Sequence, residues 1–179
     1  MNLGLYSGTL LTIPGQPPPV ADIVQGLSRA LRFGGRTRLP WSVAKHCLLV
    51  HALCPGWESL GHDAEEAILG DWPTPVVREM EARGFAAEAY RSEVRQQVMR
   101  AFGVEMPAEL SDAVKAADRR ALLIEADMLC HRNMLEWLGS PGFCPTPAES
   151  EAFLALEAMT DEAAGWRWAY EVMREVGRG

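Results

Sequence analysis

Two histidines and two aspartates have the types and the spacing that a divalent metal ion requires. His62 and Asp63 are adjacent, and His46 lies on the preceding predicted helix, across a short turn at residues 54–56. Two antiparallel helices joined by so short a turn bring positions at similar distances from it alongside each other, so the two imidazoles are expected to face each other. Asp118, on a distant predicted helix, could supply a fourth ligand. Such a set suits a borderline divalent ion and leaves positions for water and a substrate oxygen.

The same residues allow an interpretation without a metal ion. Adjacent His-Asp pairs occur by chance, and a surface pair together with one buried histidine would give the same pattern. Asp127 is a rival to Asp118 as a ligand, but it lies about two and a half helical turns further on, on the opposite side of the helix, so both cannot serve. Cys47 and His51, one turn apart, are interpreted as packed helix positions rather than as a second metal site.

The composition is that of a soluble globular chain with one core. The chain has 179 residues, of which 48% are hydrophobic and 23% are charged. Its net charge of −7 disfavours binding to nucleic acid. No stretch reaches the roughly 18 consecutive apolar residues of a membrane span, and the N-terminus has no export signal. We therefore expect a cytoplasmic protein with no membrane partner. Its four cysteines form no CxxC pair and, without an export signal, are expected to be reduced and mostly buried thiols.

Helical periodicity predicts one all-α domain over residues 1–179. Residues 9–13 are predicted to form a strand of a small N-terminal β-hairpin, and the prolines up to position 19 exclude a helix before residue 20. The predicted helices run from an N-cap at Asp22 to the Gly34-Gly35 pair, from Ser42 to Leu53, from Trp57 to Leu69, from Phe85 to Phe102, from Asp112 to Leu138, and from Thr146 to Gly177. Thr146, Pro147 and Glu149 have the pattern of a capping box with a first-turn proline.

Three ordered segments resemble the HD-domain phosphohydrolases. They are Ser42-Val43-Ala44-Lys45-His46, the run from His62 to Pro75 that contains Gly70-Asp71-Trp72-Pro73-Thr74-Pro75, and Lys115-Ala116-Ala117-Asp118. The similarity extends from about Tyr6 to Trp137 and is greatest to the branch typified by bacterial deoxyribonucleoside 5′-monophosphatases. It implies an HD-domain helical bundle that binds one divalent metal ion and hydrolyses phosphate esters of nucleotides. The residues that it assigns as metal ligands are His46, His62, Asp63 and Asp118.

The resemblance also assigns two acids to the reaction. Glu66 corresponds to the glutamate that orients or deprotonates the attacking water, and Asp71 corresponds to a second acid beside the phosphate. Apart from the family, Glu66 lies three residues after Asp63 and is expected to share its helix face. A metal ion lowers the pKa of a bound water, and a neighbouring carboxylate can take the proton. The adjacent Glu65 is interpreted as a solvated residue.

Arginines cluster in one segment of this acidic chain. Arg29, Arg32, Arg36 and Arg38 fall within ten residues, and the planar guanidinium fork matches phosphate oxygens. The resemblance aligns Arg32 and Phe33 with an arginine–aromatic pair that covers the phosphate and the sugar. The other three arginines are weaker phosphate candidates, with solvation or subunit contacts as the alternative.

Further substrate contacts are expected from four scattered residues. Lys115 shares a helix face with the fourth proposed ligand and could reach a phosphate, and Arg78 is a second cation near the motif. Trp41 and Trp72 each flank a motif and are candidates to line the substrate pocket. Trp137, near the end of a predicted helix, is interpreted as a core or subunit-interface residue.

The sequence thus predicts a metal-dependent phosphohydrolase of nucleotides, with deoxynucleoside 5′-monophosphates as the first candidate substrates. One alternative is a deoxynucleoside triphosphate phosphohydrolase, acting for example on dATP and releasing a deoxynucleoside, because the extra arginines suit a higher charge. Another is a nucleotide sensor without catalysis. Zinc, manganese, cobalt and iron all accept such ligands, so the metal ion is left open. We expect a homo-oligomer, with a dimer as the simplest state and a hexamer as an alternative.

Overall fold

A computed structural model describes residues 2–177, and their regular secondary structure is helical apart from one short hairpin near the N-terminus. Strand β1 (Asn2–Gly4) pairs antiparallel with β2 (Leu10–Thr12), and Leu3 lies opposite Leu11. Leu11 is buried while its neighbours in β2 are exposed, so the hairpin covers one edge of the helical core. The all-α class and the small hairpin are as the sequence predicts.

The helices follow one another with short connections. They are α1 (Val20–Arg29), α2 (Val43–Leu53), α3 (Trp57–Gly61), α4 (Glu66–Leu69), α5 (Thr74–Ala82), α6 (Ala87–Met99), α7 (Asp112–Leu129), α8 (Asn133–Trp137), α9 (Pro147–Glu157) and α10 (Asp161–Val176). Short 3₁₀ segments cover Arg32–Gly35 and Arg100–Phe102. None of the helices between residues 2 and 177 combines the length and the apolar character that crossing a bilayer requires.

Helix α2 lies at the centre of the bundle and carries His46. It packs against α1, α3, α7, α9 and α10, and every residue from 41 to 50 is buried. Its N-terminus begins as predicted, because the hydroxyl of Ser42 accepts a hydrogen bond from the backbone N–H of Lys45. Just before it, Trp41 stacks on Phe153 with the ring centroids 4.4 Å apart. The imidazole of His46 is therefore held by a rigid core helix.

The prediction of one continuous helix from Trp57 to Leu69 is wrong. The helix is interrupted at the segment that contains His62 and Asp63. α3 ends at Gly61 and α4 begins at Glu66, with a tight turn over residues 62–65. In this turn the backbone N–H groups bond three residues back, as from Glu66 to the carbonyl of Asp63. The carbonyl of Ser59 accepts from Nδ1 of His62, which draws the imidazole back along α3. His62 and Asp63 thus project from a turn rather than from a continuous helix.

The predicted helix from Asp112 to Leu138 also breaks, at residues 130–132. Its last carbonyls, on Met128 and Leu129, accept hydrogen bonds from the guanidinium and the backbone N–H of Arg38 respectively. This loop residue therefore satisfies the end of α7, and the chain turns back into the short α8. The break determines the position of Trp137, the last residue of α8.

Other boundaries differ from the prediction for local reasons. α1 begins at Val20 and ends at Arg29, and Asp22 lies in its first turn, where its carboxylate accepts from the backbone and hydroxyl of Ser7. The last predicted helix divides into α9 and α10 because Thr160 provides a second N-cap. Helix α5 was not predicted, because Pro73 and Pro75 resemble a helix stop; Pro75 in fact lies in the first turn of α5, where proline is tolerated.

The capping box at the start of α9 forms as predicted. The hydroxyl of Thr146 accepts from the backbone N–H of Glu149, whose carboxylate accepts in return from the backbone N–H of Thr146. Arg120 on α7 donates to both oxygens of Glu149, at 2.6 and 2.7 Å. The cap thus also fastens α9 to the helix that carries Asp118.

The segment between α1 and α2 forms a loop that is closed at its base. Leu31 and Ser42 form an antiparallel bridge, with hydrogen bonds from the backbone N–H of Arg32 to Trp41 and from Val43 to Ala30, each 2.9 Å long. Between them, Phe33 has a φ of 57°, in the left-handed region that residues other than glycine seldom adopt, and two glycines continue that turn. The loop therefore presents Arg32 and Phe33 from a tight reversal of the backbone.

Candidate metal centre

Three of the predicted ligands form a group that could hold a metal ion: His46, His62 and Asp118. The Nε2 atoms of His46 and His62 are 3.1 Å apart. Oδ1 of Asp118 lies 3.1 Å from Nε2 of His46 and 3.8 Å from Nε2 of His62. They come from α2, from the turn after α3 and from α7, so the bundle itself brings them together.

Asp63 lies beside the same nitrogen atoms. Its Oδ2 is 3.5 Å from Nε2 of His46 and 3.4 Å from Nε2 of His62. Donor atoms that bind one zinc ion at about 2.0–2.2 Å lie roughly 3–3.5 Å apart. The separations of 3.1–3.8 Å are close to that spacing. His46, His62 and Asp118, whose donor atoms all lie within 4.8 Å of one another, therefore fit a single ion in atom type and size, and Asp63 lies at the edge of this group.

The outer hydrogen bonds of the two histidines orient their rings. Nδ1 of His46 contacts Oε1 of Glu125 at 2.8 Å, and Nδ1 of His62 contacts the carbonyl of Ser59 at 2.7 Å. Because both partners accept, each Nδ1 carries a hydrogen and donates it. If both rings are neutral, the lone pairs of the two Nε2 atoms then point at each other. This contact is repulsive unless a proton or a cation lies between them. This arrangement is typical of metal-binding histidines.

Glu125 is a residue of this candidate site that the sequence did not predict. It is fully buried and also accepts a hydrogen bond from Nε1 of Trp41 at 2.8 Å. Burial would raise the pKa of its carboxyl, but the charges of His46 and Arg32 hold that pKa below its usual value. Glu125 lies seven residues after Asp118, two helical turns, and so shares its face. That spacing is the signal that could have identified it.

The charges around the imidazoles favour a positive charge between them. Burial would lower the pKa of His62, but the carboxylates of Asp63 and Asp118 outweigh burial and raise it well above its usual value. In the opposite sense, burial would raise the pKa of Asp118, yet its contacts with His46 and His62 hold it far below the usual range. The two aspartates are therefore carboxylates at neutral pH, as metal ligands must be.

Glu66 lies at the start of α4, next to this group and almost completely buried. Burial and the charge of Asp63 raise the pKa of its carboxyl well above its usual value. Nη2 of Arg91 lies 3.4 Å from Oε1 of Glu66 and 3.4 Å from Oδ1 of Asp63, so one guanidinium from α6 links both acids. The other oxygen, Oε2, is buried and makes no hydrogen bond within the described residues.

The interpretation of Glu65 as a solvated residue is wrong. Its side chain is completely buried and accepts two hydrogen bonds from Arg95, both 2.8 Å long, while Arg91 lies at 2.8 Å from one of its oxygens. Arg91 and Arg95 are one turn apart on α6, so they share a face that packs on the site turn. The spacing along the chain shows that Arg91 and Arg95 share a helix face, but only the packing of α6 shows which acids the two arginines contact.

Arg32 joins the metal-ligand group to the loop that precedes α2. Its Nη1 lies 3.5 Å from Oδ2 of Asp63 and 3.4 Å from Oδ1 of Asp71, and its Nε lies 3.5 Å from Glu125. Burial would lower the pKa of Arg32, but these acids outweigh it and raise the pKa, so the guanidinium stays charged. Asp71 in turn accepts from the backbone N–H of Gly34 at 3.0 Å, which fixes the turn behind Arg32.

A cleft of about 710 Å³ opens beside Arg32 and Asp71. Its walls carry four arginines and three aromatic side chains, and these are Arg32, Arg36, Arg78 and Arg119 with Phe33, Trp72 and Trp137. Such a volume accommodates a small organic ligand rather than a phosphate alone. Of the predicted substrate contacts, Arg32, Phe33, Trp72 and Arg78 therefore line one cleft.

The remaining predicted substrate contacts lie elsewhere. Trp41 does not line the cleft, because its ring is buried against Phe153 and its indole N–H is bonded to Glu125; the prediction for it is corrected. The structure does not bring Lys115 to the group either. Its side chain is half exposed, and its Nζ lies 4.0 Å from Asp112.

Arg29 and Arg38, two of the four clustered arginines, contact residues outside the cleft. Asp127, the alternative to Asp118 as a ligand, also lies away from the histidines. Arg29 lies over the ring of Tyr6, 5.5 Å from its centroid, and Arg38 binds the end of α7. Neither lines the cleft. Asp127 is exposed on α7, whereas Asp118 faces the histidines, as the helical spacing requires.

Comparison with known proteins identifies two similar chains. No family model matches the protein. An uncharacterized protein of Rhodobacter capsulatus is 33% identical over 122 residues, which cover 62% of this chain and 62% of that protein. The uncharacterized protein YfdR of Escherichia coli is 33% identical over 109 residues, 59% of this chain and 58% of YfdR. The chain thus spans about three fifths of the length of the curated relatives it matches.

Proposed function

We propose that the protein is a metal-dependent phosphohydrolase of nucleotides that removes the phosphate from deoxynucleoside 5′-monophosphates. The observation that carries the proposal is the position of Arg32, whose guanidinium lies 3.5 Å from Asp63, a residue that itself faces both histidine Nε2 atoms. A permanently charged, planar donor beside a metal-binding group is suited to an anionic phosphate ester. The adjoining cleft has room for the rest of a nucleotide.

His46, His62, Asp63 and Asp118 would hold one divalent ion, for which zinc, manganese, cobalt and iron are the candidates. Such an ion, when bound, polarises a phosphoryl oxygen and lowers the pKa of a water molecule. Glu125 and the carbonyl of Ser59 keep the imidazoles oriented by accepting from their Nδ1 atoms.

Glu66 is the residue to which we assign the proton of the attacking water. Its raised pKa brings the carboxyl nearer to neutral pH, where a group can both accept and return a proton. Arg91 contacts Oε1 of Glu66, so we assign acceptance of the proton to the other oxygen of that carboxylate, Oε2. Nη1 of Arg32 would bind a phosphate oxygen, and Asp71 is the second acid, which holds Arg32 and the turn at Gly34.

The test is a panel of ribo- and deoxyribonucleoside mono-, di- and triphosphates. Each is incubated with the protein and with added zinc, manganese, cobalt or ferrous ions, and the products are separated by chromatography. We expect inorganic phosphate and a deoxynucleoside from the deoxynucleoside monophosphates. Metal content is measured in parallel by elemental analysis.

Two variants make this test specific. Asp63→Asn should lose both bound metal and activity, whereas Asp127→Asn, an exposed aspartate on the far side of α7, should keep both. Activity that survives Asp63→Asn would reject the assigned site. Metal-dependent binding of nucleotides with no product under any condition would instead identify a sensor.

A second candidate is the hydrolysis of deoxynucleoside triphosphates. It is favoured by one observation, that Arg36, Arg78 and Arg119 line the cleft in addition to Arg32. Three further cations suit a chain of phosphates better than a single phosphate. The released product decides between the two, because a triphosphatase yields a deoxynucleoside and inorganic triphosphate.

A further inference from the structure

The far wall of the cleft has a different character from the wall beside the metal centre. α7 and α8 form it with Arg119, Leu122, Met134, Trp137 and Leu138. The cleft is continuous from Arg32 and Asp71 to this wall. Whatever is held by Arg32 at one end can therefore extend to a largely apolar surface at the other.

Trp137 dominates this wall and is 77% exposed, so the first of its two predicted roles, a core residue, is wrong, and the second, a subunit contact, stays a prediction. The exposure does not come from a loose segment. Two residues earlier, Leu135 is buried against Leu123 and Ala126 of α7, and the guanidinium of Arg119 donates to the carbonyl of Leu138. α8 is therefore anchored on both sides of Trp137, and its indole is presented to the cleft from a fixed support.

The ligand that suits such a surface is a flat aromatic ring carried by an anion. An indole face can stack on any of the nucleobases, and such stacking contributes substantially per base in proteins that bind single-stranded nucleic acids. Arg36, Arg78 and Arg119 around the same cleft supply positive charge. A sugar phosphate without a base would use Arg32 but would leave this wall uncovered.

We propose that Trp137 forms the nucleobase subsite of this cleft, so that the substrate class is a nucleotide rather than a small phosphate ester. The inference rests on the proposed function for the role of the metal centre, and it adds a recognition residue outside the motifs that suggested that function.

The experiment compares Trp137→Ala with Trp166→Ala, which removes an exposed tryptophan on α10 that is not part of the cleft. Binding of dAMP and dCMP to chelator-treated protein is measured by calorimetry. Hydrolysis of the same nucleotides and of 2-deoxyribose 5-phosphate is measured with metal added. Trp137→Ala should weaken nucleotide binding and lower kcat/KM for nucleotides about tenfold, and should leave kcat/KM for the sugar phosphate unchanged. Trp137→Phe should restore most of the loss.

The outcomes separate this inference from the proposed function. Nucleotide binding that weakens in Trp137→Ala, in a protein that hydrolyses nothing, supports the subsite and rejects the hydrolase. Normal nucleotide hydrolysis by Trp137→Ala rejects the subsite and leaves the hydrolase standing. Equal losses on nucleotides and on the sugar phosphate, or a change of oligomeric state with unchanged nucleotide binding, also overturn the subsite. The latter result would make Trp137 a subunit contact.

Discussion

Asp118 and Glu125 contact opposite nitrogens of the same imidazole. Oδ1 of Asp118 lies 3.1 Å from Nε2 of His46, and Oε1 of Glu125 lies 2.8 Å from its Nδ1. Since the two acids are two turns apart on α7, one helix face supplies both a proposed ligand, Asp118, and the group that orients the imidazole of His46. The two roles can be separated by mutation.

Glu125→Gln should weaken metal binding about ten- to hundredfold without removing a ligand. A neutral amide accepts a weaker hydrogen bond from Nδ1 of His46 and no longer balances the charge of Arg32. Titration of the metal-free protein with zinc or manganese, followed by calorimetry, measures the change. Glu93→Gln, an exposed position on α6, is the matched control. Equal affinities in the two variants would show that Glu125 has no part in the metal centre.

Glu66→Gln should lower kcat by about 10²- to 10⁴-fold, the range expected when a general base is removed. Metal affinity should stay near that of the wild type, because Glu66 is not among the four proposed ligands. Steady-state kinetics on the best substrate of the panel, together with metal content, provide the measurement. A variant that retains full turnover would assign the proton to another group, with Asp71 the first to be tested.

Gly26→Ala should destabilise the fold by about 1–3 kcal/mol. A Cβ at Gly26 would overlap the backbone oxygen of Ala67, because α1 packs directly on α4, the helix that begins with Glu66. Backbone atoms cannot move aside as a flexible side chain can, so the helices must separate. Urea unfolding measures the loss. Gly4→Ala, at an open position in β1, should change stability little; a similar loss in both variants would contradict the packing argument.

Glu149→Gln tests the cap of α9 through its dependence on pH. The hydrogen bonds from Arg120 lower the pKa of Glu149 to about 2. A folded-state pKa below the unfolded one contributes stability above the usual glutamate pKa, and this stability is lost as the pH falls towards 2. At pH 7 the variant should therefore be less stable by about 0.5–1 kcal/mol, a difference that shrinks between pH 5 and pH 3.

Urea unfolding at several pH values measures this difference. Glu151→Gln, an exposed neighbour on the same helix, should show no such trend. A constant difference between Glu149→Gln and the wild type across this pH range would mean that charge has no role in the cap.

The grouping of His46, His62 and Asp118 was predictable only in part from local geometry. The short turn between α2 and α3 brings His46 and His62 alongside each other, whereas Asp118 reaches them because α7 packs against α2 and α3. Glu125 and Arg91 were not found, because their roles depend on which helices pack together. For the same reason Trp41 was assigned to the pocket, although its indole N–H is turned inward to Glu125.

The sequence predicted the presence of most helices better than it predicted where they begin and end. Caps that use neighbouring residues, such as Ser42 and the box at Thr146, are visible in the sequence, and both form. The break after Leu129 depends on hydrogen bonds from Arg38, ninety residues away from Met128. Periodicity alone cannot show that a distant guanidinium will satisfy the last carbonyls of a helix.

The loop that carries Arg32 is fastened twice, by the Leu31–Ser42 bridge at its base and by Arg38 at the end of α7. Its arginine is thus preorganised, and the anion binding that we propose for Arg32 would need little further ordering of the backbone. Positions 36 and 37 lie between these anchors and outside the left-handed turn, so their side chains can vary and change the lining of the cleft while Arg32 keeps its place.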